Sequence, residues 1–316
     1  MQYTLEVKHI PSFHKARPVD SQLTFHDGNG TPSRYIGVEI ECDGFHCPNS
    51  YNPFENHSLT GLPKEVREMR DLVIKWGGGF QHDRDFEIQT APARGEPFRR
   101  QIEDICDALE KAKTFQDGLR SGLHIHIDAR DLTDAQLRKV ILAYGVIEEV
   151  VARAVPYKRA ANYYCKPLGE YAFSSLVKIP RGQIKYRVDK KCNLSVGGEA
   201  QRYLAMNLNA FLKHKTLEVR THEATMDAKE IIGWSTFWAD FIDNAKSMST
   251  LDIMDLKNAK TRIKHFVSED SLEYIKKRLK KFSGEWSSRF GEWQRYRTRS
   301  GDELIALYDP KATPRY

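Results

Sequence analysis

At 316 residues, 40% of them hydrophobic, the chain is long enough for one large or two modest domains around a substantial core, so disorder is not the default reading. The net charge of +6 is uneven: Leu256 to Ser300 holds thirteen Lys or Arg against five Asp or Glu, so the remainder is slightly acidic. No run of about 18 apolar residues is present, Met1 to Lys8 lacks both parts of a secretory signal, and the five scattered cysteines include no CxxC pair, so a cytoplasmic, reduced protein without membrane association is expected.

Strand-like alternation at Tyr3, Leu5 and Val7 is followed by a turn at Asp27-Gly28-Asn29-Gly30 and then by the strand Gly37-Val38-Glu39-Ile40-Glu41. Cys47 to Leu62, rich in Asn, Pro and Ser, reads as an exposed loop. Cys42, His46 and Cys47 lie close together, but no second half-site follows them to complete a thiolate metal centre. A short helix is expected near Lys64 to Trp76, ended by Gly77-Gly78-Gly79. Phe86 to Thr90 alternates as a strand closed by Pro92, and Phe98 to Phe115 places Ile102, Ile105, Leu109 and Ala112 at helical spacing behind Pro97. A strand at Leu123 to Ile127 and a helix from Asp134 to Ala154, capped by Thr133, come next.

The long polar connection from Lys166 to Gly198 carries Lys185, Arg187 and Lys191, with a possible strand at Gln183 to Val188. A connection of that length is usually functional, and it and the Cys47 to Leu62 loop are where any binding selectivity is expected. Arg202 to Phe211 and Thr216 to Thr221 read as paired antiparallel strands joined by Lys213-His214-Lys215. Helices are expected at Asp227 to Asn244, Ser271 to Phe282 and Glu285 to Arg297. In the last of these, Trp286, Phe290, Trp293 and Tyr296 form a core stripe, with a base-stacking platform as the alternative. The sum is an α+β fold: a domain over 1–250, with helices packed on the convex side of its sheet, and a basic helical extension over 251–316 packed on it.

Three strands carry charged or imidazole groups two residues apart: Glu39 and Glu41, His124 and His126, Glu218 and Arg220. Alternate residues of a strand share a face, so each segment aims these groups one way and its Val, Ile or Leu groups the other. Like charges gathered on one sheet face repel unless a cation lies among them. Hard oxygens with imidazole suit Mg²⁺ or Mn²⁺ better than zinc, several carboxylates suggest more than one ion, and Arg220 adds a fork suited to phosphate.

From about Tyr35 to Trp238 these segments occur in a set order. Gly37-Val38-Glu39-Ile40-Glu41 is followed by Glu87-Ile88 with Pro92, Gly122-Leu123-His124-Ile125-His126, Arg202 with Asn207, Thr216-Leu217-Glu218-Val219-Arg220, and Thr225-Met226-Asp227. The series resembles the amidoligase family, within the carboxylate-amine ligases that include glutamine synthetase and glutamate-cysteine ligase. The resemblance implies a curved antiparallel sheet that binds ATP with two or three Mg²⁺ on its concave face. It implies Glu41 and Glu87 as ligands of one metal, and Glu39, His124 and Glu218 as ligands of a second. Arg220 would stabilise the transferring phosphoryl group, with Arg202 and His126 as further nucleotide contacts and Arg220, Glu218 and Glu41 as the catalytic residues. The chain departs from the pattern at His82-Asp83-Arg84-Asp85, where many members have Asp-Gly-Ser, leaving open whether Asp83 or Asp85 joins the metal site. It also has Ser121 where Cys is frequent and Ala224 where Gly is usual.

The activity implied is joining of a carboxylate, small or peptidic, to an amine through an acyl phosphate, with His222 and Glu223 placed to orient the amine. A metal-dependent hydrolase built on the His-x-His strand is a second possibility, although such enzymes usually begin with that strand. Nucleic-acid binding through Lys276, Lys277, Lys280 and Lys281 is a third.

Overall fold

The computed structural model describes residues 30–43, 73–78, 85–112, 121–168, 203–256 and 262–308. Within these the chain forms β1 (Ile36–Asp43), β2 (Val73–Gly78), β3 (Asp85–Thr90), α1 (Gly95–Lys111), β4 (Gly122–Asp128), α2 (Asp134–Arg153), α3 (Tyr157–Ala160), β5 (Met206–Asn207), α4 (Asn209–His214), β6 (Thr216–Glu223), α5 (Ala228–Ser247), α6 (Thr250–Asp255) and α7 (Glu269–Tyr308). Mixed α and antiparallel β structure with a helical C-terminal region is what the sequence leads one to expect. The chain divides into two compact units, one of residues 1–128 and 222–236, the other of 129–221 and 237–316, with boundaries at the end of β4 and inside β6 and α5.

In the first unit the strand order is β2-β3-β1-β4, and every pairing is antiparallel. The inner side chains of β1, β3 and β4 are β-branched or otherwise aliphatic, as a pleated, packed face requires. Ile36, Val38, Ile40, Ile88, Leu123, Ile125 and Ile127 are all buried. Helix α1 contributes Phe98, Ile102, Ile105 and Leu109, spaced three and four apart and fully buried. Gln101 ties it to the chain leaving β3, its Nε2 donating to the Ala91 carbonyl at 2.9 Å. Gly30 takes φ +64°, a left-handed conformation open to glycine. Its carbonyl accepts from Thr236 Oγ1 at 3.0 Å.

One strand appears where a helix is expected. Trp76, Gly77 and Gly78 pair with Ile88, Glu87 and Phe86. Val73, Ile74 and Trp76 favour strand over helix, and a partner strand satisfies the backbone of the two glycines. Residues 64–72 lie outside the described ones, as do the strand expected at Tyr3, the Cys47 to Leu62 loop, the Lys166 to Gly198 connection beyond Leu168, and Arg202.

The second unit is built on α2. Thr133 caps it as expected, in a reciprocal box with Gln136. Helix α2 packs against α3, α6 and α7. An aromatic cluster fills the core: the Trp238 ring lies 5.9 Å from Tyr144, 5.2 Å from Phe237 and 5.3 Å from Phe241, the last two edge-on. The expected strand over Arg202 to Phe211 is reduced to the two residues of β5, paired antiparallel with β6, and Asn209–His214 is helical instead. Neighbours Ala210 and Phe211 are both buried. A strand would send them to opposite faces, whereas a helical turn brings both inward. Lys215 ends α4 in the left-handed region at φ 58°, turning the chain directly into β6.

The two expected C-terminal helices are one, because α7 runs through Ser283-Gly284 without a break. Asp240 holds its start: Oδ2 accepts from the Ser268 and Ser271 hydroxyls and, at 3.3 Å, from Ser268 N. Trp286 and Trp293 are buried, so the aromatic stripe is core, while Lys276, Lys277, Lys280 and Lys281 are exposed. Among the described residues no helix is long and apolar enough to cross a membrane.

Cys42, Cys106 and Cys165 are buried free thiols. Burial, followed by the charges of Asp227 and Asp107, pushes the Cys106 thiol up to about 12. The folded state therefore favours the protonated thiol. Its contribution to stability is complete below the ordinary thiol range and is lost as pH rises through that range towards 12. Iodoacetamide at neutral pH is expected to leave Cys106 unmodified in the folded protein and to alkylate it in urea. Peptide mass spectrometry reads the difference, and labelling of native Cys106 at the rate seen in urea would contradict it.

Candidate active site

Pairing of β1 with its two neighbours sets the polar face of the first unit. Glu39 lies opposite Gln89 on β3 and His124 on β4, Glu41 lies opposite Glu87, and His126 lies opposite Gly37, which offers no competing side chain. The face thus gathers Glu39, Glu41, Glu87, Gln89, His124 and His126, with Glu39 central, while the intervening apolar residues turn into the core. Glu39 Oε2 is 3.1 Å from His124 Nδ1, and Oε1 is 3.1 Å from His126 Nε2. Gln89 Nε2 donates to Glu39 Oε1 at 3.0 Å and to Glu87 Oε1 at 2.7 Å, bridging the two carboxylates. The Gly122 N–H donates to Glu41 Oε2 at 2.5 Å, and His124 Nε2 stands 3.8 Å from Glu41 Oε1, so that one imidazole lies between two carboxylates.

Burial pushes the Glu39 carboxyl up. The His126 charge and the hydrogen bonds to His124 and His126 outweigh it and hold the group well below the usual carboxylate range. Glu39 is therefore an anion at neutral pH, an acceptor with both oxygens engaged by nitrogen donors. Three carboxylates and two imidazoles on one partly exposed face form a donor set of hard oxygens with nitrogen, which fits Mg²⁺ or Mn²⁺.

In the second unit, β5 places Asn207 opposite Glu218, and Asn207 Nδ2 donates to Glu218 Oε2 at 2.6 Å. The other oxygen of Glu218 accepts from Arg220 Nη1. Arg220 is held at three more points: Nε donates to the Tyr164 carbonyl at 3.0 Å, its amide to Ala205 O at 2.9 Å, and its own carbonyl accepts from Arg159 Nη2 at 2.7 Å. The guanidinium plane is thus fixed by a carboxylate on one edge and a backbone carbonyl on the other.

The family described as "Putative amidoligase enzyme" matches residues 55–242, more than half of the chain. The chain belongs to this family. Glu87, His124, His126, Arg202, Glu218 and Arg220 fall within the match, and Glu39 and Glu41 precede it. Among solved structures, a novel glutamine synthase homolog is 13% identical with a TM-score of 0.38, covering 88% of this chain and 72% of its own. A bifunctional glutathione synthetase from Pasteurella multocida is 12% identical with a TM-score of 0.33, covering 88% of this chain and 53% of its own, so the chain spans about half of that enzyme. No curated protein matches. Family membership supports a ligase function for the chain.

In this amidoligase, Glu39, Glu41, Glu87, His124 and His126 share one sheet face, and Glu218 and Arg220 form a bonded pair in the other unit. Asp85 opens β3 opposite Asp43, and Asp83 lies outside the described residues. His222 and Glu223 lie within β6, not past it. His222 is fully buried, its Nδ1 2.6 Å from the Glu223 carbonyl oxygen and its ring edge-on to Trp234 at 5.0 Å, so it cannot touch an amine directly. Gln89, Arg159 and Tyr164 are contacts that sequence reading passes over. Gln89 was within reach of it, two residues after Glu87 on the same face.

Proposed function

We propose that this amidoligase is an ATP-dependent carboxylate-amine ligase that forms an amide or isopeptide bond through an acyl phosphate. The observation that carries the reading is the face in which Glu39, bonded by His124, His126 and Gln89, stands in register between Glu87's strand and the imidazoles. Glu39, Glu41, Glu87, His124 and Glu218 are the proposed divalent-cation ligands, as the family resemblance implies. Bound Mg²⁺ would supply the positive charge that lets anionic ATP and a carboxylate approach. Arg220, its plane already set, would meet the charge that develops on the transferring phosphoryl oxygens, with Arg202 and His126 as nucleotide contacts.

The substrate carboxylate oxygen attacks the γ-phosphorus and ADP leaves, giving an acyl phosphate. The amine nitrogen then attacks the acyl carbon, the bond to the phosphate oxygen breaks, and inorganic phosphate departs with its electron pair. The amine's proton passes to a carboxylate or to water. Small-molecule and peptide carboxylates and amines are the proposed substrate class.

Calorimetric titration with ATP and Mg²⁺ is expected to show saturable binding to the wild type and none to Glu41→Gln or Glu218→Gln, each variant checked for folding by circular dichroism. Undiminished binding to both variants would overturn the reading. Amide or ester hydrolysis without nucleotide would instead favour a hydrolase.

A further inference from the structure

The segment from Ala154 to Cys165, which holds Arg220, hangs from α7, a helix wholly outside the family match. Five side chains of α7 reach it in sequence order. Arg278 Nε donates to the Ala154 carbonyl at 2.8 Å, Trp286 Nε1 to Val155 at 2.8 Å, Trp293 Nε1 to Ala160 at 3.3 Å, and the Tyr296 hydroxyl to Asn162 at 3.2 Å. Arg297 Nε donates at 2.7 Å to Glu148, whose other oxygen accepts from Leu168 N. Four of these bonds end on backbone carbonyls at the end of α2 and around α3, and the Asn162 carbonyl also accepts from Cys165 N at 3.2 Å.

The last turn of this strap is where the connection becomes functional. Asn162 Oδ1 caps the short turn by accepting from Tyr164 N at 2.8 Å, and the Tyr164 carbonyl accepts Arg220 Nε. Arg159, in α3, holds the Arg220 carbonyl, and its own carbonyl accepts from Cys165 Sγ at 2.7 Å. A continuous relay therefore runs from the Tyr296 hydroxyl through Asn162 and Tyr164 to the guanidinium.

We propose that Tyr296 is a positioning residue for Arg220: through Asn162 and Tyr164, α7 sets the plane of the guanidinium. The structural part stands on the bonds just given, and its catalytic consequence rests on the ligase reading above. An arginine that must meet developing charge works only in a fixed orientation, so a loosened strap lowers turnover without removing a contact to substrate.

The test compares wild type, Tyr296→Phe and Asn162→Ala as full-length protein by two readouts. The first is hydrogen exchange of the Arg220 Nε–H, assigned by its loss in Arg220→Lys, with the Arg99 Nε–H, bonded to Glu96, as internal control. Losing one hydrogen bond of the relay is expected to speed Arg220 Nε–H exchange about tenfold and leave Arg99 unchanged. The second is ATP-dependent phosphate release, where kcat is expected to fall about tenfold with KM for ATP unchanged. A purely structural role would lower the melting temperature but leave the Arg220 signal and kcat of folded enzyme at wild-type values, and that result overturns the proposal. Accelerated exchange without phosphate release in any variant or in wild type upholds the relay and removes the ligase reading. Release with unchanged exchange does the reverse.

Discussion

Arg220→Ala is expected to lower ATP-dependent phosphate release by about 10³-fold, the low end of what an arginine contributes to phosphoryl transfer. The guanidinium is set in advance by Glu218 on one edge and the Tyr164 carbonyl on the other, so its charge needs no reorganisation when the phosphoryl group moves. A factor of 10³ corresponds to about 4 kcal/mol of transition-state stabilisation, far above what a surface ion pair contributes. Arg220→Lys is expected to recover little, because one ammonium cannot make both edge contacts. The measurement is kcat for phosphate release at saturating ATP over a panel of carboxylates and amines. A rate within threefold of wild type in Arg220→Ala would remove Arg220 from the chemistry. Glu218 keeps its bond from Asn207 in the variant, so loss of activity with retained fold is the informative result.

The polar face was legible because charge and period coincide. In Glu39-Ile40-Glu41 and His124-Ile125-His126, the chemistry-bearing residues occupy one parity of a strand and isoleucine the other, and the pairing registers bring them opposite one another. The strap around Arg220 was not legible, because its decisive groups are the carbonyls of Tyr164, Ala205 and Asn162, and every residue has a carbonyl. Local composition also misled where tertiary pairing overrides it. Gly77 and Gly78 read as a helix stop and are ladder residues of β2. Ser283-Gly284 reads as a helix break, and α7 continues through it. A glycine costs a helix about 1 kcal/mol relative to alanine, and anchors on both sides, Arg278 and Trp286, outweigh that.

Those anchors carry the second large effect. Trp286→Ala is expected to destabilise the protein by about 3–5 kcal/mol, the range for an aromatic removed from a packed core. Trp286 is 2% exposed, lies edge-on to Tyr157 at 5.6 Å and to Trp293 at 5.9 Å, and donates its indole N–H to Val155, so the variant loses packing and leaves a buried carbonyl to find another donor. Against a total stability of about 5–15 kcal/mol for a typical domain, that is a large share. Trp286→Phe should fall between, keeping most of the volume but not the bond. Lys276→Ala serves as the control: its exposed pairing with Glu273 is made in water, and its removal should leave the unfolding midpoint where it is. Urea unfolding followed by tryptophan fluorescence and circular dichroism distinguishes the cases. Equal midpoints for Trp286→Ala and Lys276→Ala would mean that α7 rides on the unit as a solvated appendage. A drop confined to Trp286→Ala would mean that the basic helix is anchored through its aromatic face, the face by which it also reaches the strap that holds Arg220.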